Sequence, residues 1–174
     1  MQKDIRFWTY FRWIKHPAFL LFLCSGLCLV LGTLFAAQAD VTGLSLMRLA
    51  ASCRVSIVCH LASQLLPFLI AAYAVNISGL WLLYTVCSCK LFSFAYMGTL
   101  IMNAFGSAGW LVRSLFLFSD IILVPMLCWY CARRVLADSD SEKKDFWICI
   151  GVAVVTALIN WLFISPFLVK IINF

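Results

Sequence analysis

The sequence predicts an all-α, polytopic membrane bundle of about five transmembrane helices, preceded by a basic segment at the membrane interface. Three observations carry this prediction. Apolar residues make up 65% of the 174-residue chain and charged residues 11%, against a globular norm of roughly 45–50% and about 25%. A soluble domain of this length would lack the polar surface to cover itself, so its solvent is largely lipid. The apolar residues also fall in runs of about 20, the length of one span. Finally, the bases stand at the flanks of those runs and form no aromatic-interleaved groove, which argues against a nucleic-acid partner.

Residues 1–17, MQKDIRFWTYFRWIKHP, alternate bases with aromatics. As a helix they would lie at the headgroup boundary. An Ala-x-Ala pattern at 37–39 superficially offers a cleavage site, but the long basic segment before the first span reads better as an uncleaved anchor. One bundle is expected over 18–174. Its first span, 18–37, carries Gly26 and Gly32, which permit close helix approach. A mildly polar loop over 38–54 holds Asp40, Arg48 and Arg54, with a short amphipathic helix expected near 44–51.

The second span, 55–75, holds His60 and Gln64 four residues apart on one helical face, then Pro67, expected to kink it. Residues 76–79, Asn-Ile-Ser-Gly, read as a tight turn. The third span, 80–105, is long, and Ser88-Cys89-Lys90 is expected to interrupt it. Residues 106–109, Gly-Ser-Ala-Gly, turn the chain into a fourth span, 110–132, with Asp120 near its middle and Pro125 bending its second half. The hydrophilic stretch 133–145 mixes charge signs and reads as a solvated loop. A fifth span, 146–170, carries Asn160 and Pro166.

Orientation follows from the bases. With five spans and the N-terminus inside, Lys3, Arg6, Arg12, Lys15, Arg133, Arg134, Lys143 and Lys144 flank the inner side, and Arg48, Arg54 and Lys170 the outer side. That asymmetry predicts a cell-membrane protein with a cytoplasmic N-terminus and an external C-terminus.

Charge at bilayer depth is costly and normally faces other helices or a wet cavity. At about 1.5 Å per residue, Lys90 lies roughly 15 Å into the third span, and Asp120 about 15 Å into the fourth from the opposite side. Both therefore reach mid-depth of a core about 30 Å thick, where they could meet as an interhelical clasp or as part of a proton or ion relay. Arg113 is expected two turns before Asp120 on the same face, nearer the outer surface, where it can snorkel. Asn103, His60 and Gln64 complete a candidate polar set. His60 has no second ligand at metal-binding spacing and is expected as a hydrogen-bonded interior histidine.

Nine cysteines are present, most of them within apolar runs, where a thiol behaves as a small hydrophobe. Cys128 and Cys131 form a CxxC with no second pair at zinc-ligand spacing, and Trp129-Tyr130 between them fit a membrane-interface belt. Cys53 and Cys59 are the only disulfide candidates outside. No soluble-type catalytic motif occurs. The expectation is a chain without enzymatic activity, resident cofactor or metal.

The central stretch also resembles the family of stage II sporulation protein M. The resemblance rests on Lys90, Gly98, the corner Phe105-Gly106-Ser107-Ala108-Gly109-Trp110, and Ile121-Ile122-Leu123-Val124-Pro125, with a basic N-terminus and a glycine-containing first span. Its motif covers about 36 residues, and the order of spans is compatible along the whole chain. Where the family tends to have Pro-Gln/His-Asn/Gly, this chain reads Phe118-Ser119-Asp120. The resemblance implies a non-catalytic bacterial membrane scaffold that recruits partner proteins such as cell-wall hydrolases, as in sporulation, with 38–54 as the docking surface. A reading from a different class is a small transporter or permease subunit, with Lys90, Asp120, Arg113, Asn103, His60 and Gln64 along a midplane pathway.

Overall fold

The computed structural model describes residues 17–39, 57–77, 80–135 and 142–172. The N-terminal basic segment, nearly all of the 38–54 loop with its expected amphipathic helix, and Cys53 lie outside these residues. Among the described residues the fold is all-α. Helix α1 is Pro17–Gln38, α2 is Ile57–Ile77 and α3 is Leu80–Phe105. A 3₁₀ turn, Gly106–Ala108, leads to α4 (Gly109–Phe116) and α5 (Phe118–Val135). Helix α6, Glu142–Ile159, passes through a π-helical turn, Asn160–Ile164, into α7, Ser165–Ile172. Helices α1, α2, α3 and the α6–α7 stack are long and apolar enough to cross a membrane, and α4 with α5 pass the same test only together, as a bent pair with the geometry of a broken span or a re-entrant loop.

The distribution of residues is that of a bundle in lipid. Phe22, Phe35, Trp81 and Phe163 are all more than half exposed, whereas Ser25, Gln64, Ser119, Thr156 and Asn160 are buried. A soluble protein would reverse this order. Helix α1 shows the cause most plainly. Its buried residues, Leu21, Ser25, Gly32 and Ala36, repeat at helical spacing along one face, and the rest of its surface is mostly apolar and largely exposed.

That face lies along α3, the most extensive helix pair in the bundle. The two run parallel. Tyr84 Oη donates to Pro17 O at 3.0 Å near one end, and Asn103 Nδ2 donates to Ala36 O at 3.3 Å near the other, with the same sequence offset of 67 residues. Gly32 makes the approach possible, because a Cβ there would stand 2.6 Å from Phe92 O. Gly26, expected to serve the same purpose, has nothing within 4 Å of its Cβ position. Helix α2 packs on α3 and α6, and α5 on α3 and α6. Phe68, Leu83, Cys87, Leu127, Tyr130, Cys131 and Cys149 fill the main core between them.

Several sequence expectations are corrected. Helix α3 is continuous over its 26 residues, so Ser88-Cys89-Lys90 does not interrupt it. None of the three removes a backbone hydrogen bond, and lysine is a good helix former. Helix α2 continues to Ile77, so Asn76 and Ile77 are helical, and the rest of the turn expected at 76–79 lies outside the described residues. The fourth span is bent by 59° between α4 and α5, at Leu117 and not at Pro125, which lies inside α5. No glycine or proline stands at Leu117. Helical hydrogen bonds run across it, from Leu117 N to Arg113 O at 2.9 Å and from Ile121 N to Leu117 O at 2.8 Å. Leu117 is buried, and Ser119 Oγ donates to Thr156 O of α6 at 3.3 Å, so packing holds the bend. Tyr130 is 2% exposed and belongs to the core, not to an interface belt.

The π turn has a local explanation. In an ordinary helix the Pro166 ring would press on the carbonyl four residues back. The wider turn immediately before it relieves that clash, and Ser165 N–H donates five residues back to Asn160 O. Such turns concentrate at functional sites.

Candidate functional site

Lys90 and Asp120 meet. Lys90 Nζ of α3 lies 2.7 Å from Asp120 Oδ1 of α5, with both side chains 19% exposed. Lys90 Nζ also donates to Gln64 Oε1 of α2 at 3.5 Å. One ammonium thus joins three helices. Asp120 Oδ1 itself is shut off from solvent and receives no hydrogen bond of good direction, so the close ammonium balances it as an ion pair. In a medium this apolar, leaving either partner alone would be costly.

About one turn before Gln64 on α2, His60 makes the next bridge. Asn160 Nδ2, at the start of the π turn, donates to His60 Nε2 at 3.1 Å. With the amide in this orientation the neutral ring carries its proton on Nδ1. His60 is the hydrogen-bonded interior histidine expected, and among the described residues no group of three His, Cys, Asp or Glu is placed to hold a metal ion.

Between these bridges lies a half-enclosed cavity of about 280 Å³. Cys59, His60, Ser63 and Gln64 line it from α2, Ser119 and Asp120 from α5, and Asn160 and Ser165 from the π turn and α7. Only Phe116 and Leu168 contribute purely hydrocarbon side chains. The bend at Leu117 and the π turn are the two irregular pieces of backbone that border it, and each supplies polar side chains to it.

Two members of the expected polar set stand elsewhere. Asn103 is spent on Ala36 O in the α1–α3 seam. Arg113 lies over Gly98, where a Cβ would be 2.8 Å from its Nε. It lines a second cavity, also about 280 Å³, with Phe94, Met102, Trp110, Ser114, Leu117 and Ile121. The two cavities share no lining residue. The expectation that Arg113 and Asp120 share one helical face presupposed a straight helix, and the 59° bend removes it.

Gly106 and Gly109 build the corner between α3 and α4. Gly106 has φ +54°, a left-handed conformation that glycine adopts without strain. At Gly109 a Cβ would stand 2.9 Å from Met102 Cα, so only glycine lets α4 close onto α3. Gly98 leaves room for the Arg113 guanidinium, and Pro125 sits within α5.

Ser63, Ser119, Thr156 and Ser165 were not singled out by the sequence reading. For all but Thr156 the sequence held a weak signal. Ser63 and Ser119 adjoin Gln64 and Asp120, and Ser165 precedes Pro166. The CxxC cysteines sit in the core, where Cys128 Sγ is 3.4 Å from Cys87 Sγ and Ser25 Oγ donates to Cys87 at 3.4 Å. Comparison of the chain with family models, curated proteins and solved structures returns no match.

Proposed function

We propose that the chain is a non-catalytic membrane scaffold that recruits protein partners at the bilayer, in the manner implied by its resemblance to stage II sporulation protein M. One observation carries this reading. The polar side chains within the bundle tie pairs of helices together: His60 to Asn160, Gln64 to Lys90 to Asp120, Ser119 to Thr156, and Asn103 to Ala36. Groups arranged this way fix a framework. The residues that would have lined a continuous pathway are divided between two separate cavities and a helix seam, which weakens the transport reading. The glycine corner fits the same framework, packing two helices closely.

In this reading the N-terminus is cytoplasmic, the C-terminus is external and the 38–54 segment presents the docking surface. Arg133 and Arg134 support the orientation. They stand at the end of α5 that meets Ala72 and Asp145, where Arg134 donates to Ala72 O at 2.7 Å and Arg133 to Asp145 Oδ2 at 2.6 Å. This is where a cluster of bases would sit on the cytoplasmic side.

The deciding experiment is affinity purification at native expression level in mild detergent, with identification of the co-purifying proteins. A cell-wall hydrolase is the expected companion, lost on replacement of 38–54. An ATPase subunit in its place would overturn the scaffold in favour of a permease subunit. Reporter fusions to each terminus test the orientation.

A further inference from the structure

We propose that the cavity beside Asp120 is a binding site for a monovalent metal cation, sodium or potassium, which competes with the Lys90 ammonium for the Asp120 carboxylate. The inference goes beyond the scaffold reading and does not depend on it.

The cavity lining keeps hydrogen-bonding capacity that the bundle does not use. Ser63 Oγ spends its proton on His60 O at 2.8 Å, and Ser119 Oγ spends its own on Thr156 O at 3.3 Å. Each hydroxyl oxygen therefore keeps only lone pairs. Asn160 Nδ2 is spent on His60, which leaves the Asn160 amide oxygen as an acceptor. Gln64 Oε1 and Asp120 Oδ1 both face an ammonium already. With Ser165, six oxygen-bearing side chains line one cavity, and the hydroxyl protons of Ser63 and Ser119 are given to backbone carbonyls. Hard cations seek such a surplus of oxygen acceptors.

Charge selects the valence. Asp120 is the one carboxylate lining the cavity, so a monovalent ion balances it, whereas a divalent ion would leave an excess positive charge in a low-dielectric setting. In the described conformation Lys90 already acts as a tethered cation on Asp120 and Gln64. A free ion of the same charge can take those two oxygens when the lysine withdraws. Irregular helix turns border the site, as in other intramembrane ion sites, where unwound backbone frees additional oxygens.

The test is equilibrium binding of radioactive sodium to the full chain purified in mild detergent. Thermal unfolding is followed in parallel in sodium, potassium, calcium or choline chloride at constant ionic strength. Sodium or potassium should raise the unfolding temperature above that in choline. Lys90→Met removes the competitor. Minor conformers of ordinary size are populated at about a tenth or less, so this change should tighten binding at least about tenfold. Asp120→Asn should abolish binding. Ser165→Ala, which breaks no interhelical bond described above, should weaken binding severalfold without loss of fold, and so keeps the test open if Asp120→Asn does not fold. Equal behaviour in sodium, potassium and choline for both the wild type and Lys90→Met would overturn the proposal. So would a response to calcium alone, or binding unchanged in both Asp120→Asn and Ser165→Ala.

Discussion

Two sides of the bundle hold together by opposite means. In the α1–α3 seam, side-chain atoms are absent where contact is closest. Gly32 lets α1 approach the α3 backbone around Phe92 so nearly that a single added carbon would overlap it. Around α2, α5 and α6, side chains are large and polar, joined by the Lys90–Asp120 ion pair and the His60–Asn160 hydrogen bond, with a cavity left between. Lipid supplies no hydrophobic force to press helices together, so association depends on close packing or on polar contacts. This chain relies on close packing in the seam, where Tyr84 and Asn103 add a hydrogen bond near each end, and on polar contacts on the other side. The packed seam has no space for a ligand. The polar side holds its helices while leaving room among them.

The largest expected effect lies on the polar side. Asp120→Ala strands the Lys90 ammonium and should cost about 3–5 kcal/mol, the range for removing one partner of a buried pair. Reversible unfolding in detergent would measure it. Replacing both residues by leucine should recover most of the loss, and no recovery would mean that the pair does more than neutralise itself.

On the seam side, Gly32→Leu should cost about 1–3 kcal/mol by overpacking against Phe92 and Ala95, while Gly26→Leu, with open space at its Cβ, should be near neutral. Equal effects at the two glycines would break the contrast between the sides. Gly98→Ala should cost less than Gly32→Leu, because the atoms it meets belong to the end of the Arg113 side chain, which can move. The smallest effect is expected at the His60–Asn160 bridge. Interhelical hydrogen bonds in membranes average about 0.6 kcal/mol, and a double-mutant cycle between the two positions should return a coupling of that order.

The sequence made the polar side partly legible and the seam hardly at all. Lys90 and Asp120 could be brought to a common depth because helical rise and bilayer thickness are nearly constant quantities. Which face of α1 packs inward could not be read, since nearly every position in it is apolar and lipid tolerates any of them. Gly26 and Gly32 look alike in the sequence, and only the tertiary arrangement distinguishes them. The bend at Leu117 carries no breaking residue, because packing produces it. The π turn was foreshadowed only by Pro166. Lysine within an apolar run looked like an interruption of α3, but helical hydrogen bonding ignores side-chain polarity.

The 29 residues separating Lys90 from Asp120 in the chain, and the tight glycine corner between them, bear on how the protein enters the membrane during synthesis. Each charge alone would oppose insertion of its helix by about 2.5–3.5 kcal/mol at the membrane centre. The corner folds α3 back onto α4 and α5, so the hairpin can leave the translocation machinery as one unit with its charges already neutralised. Helix α3 by itself should then insert less efficiently than the α3–α5 hairpin, and lengthening the Gly106–Gly109 corner should delay insertion even where the finished bundle could accommodate the extra residues.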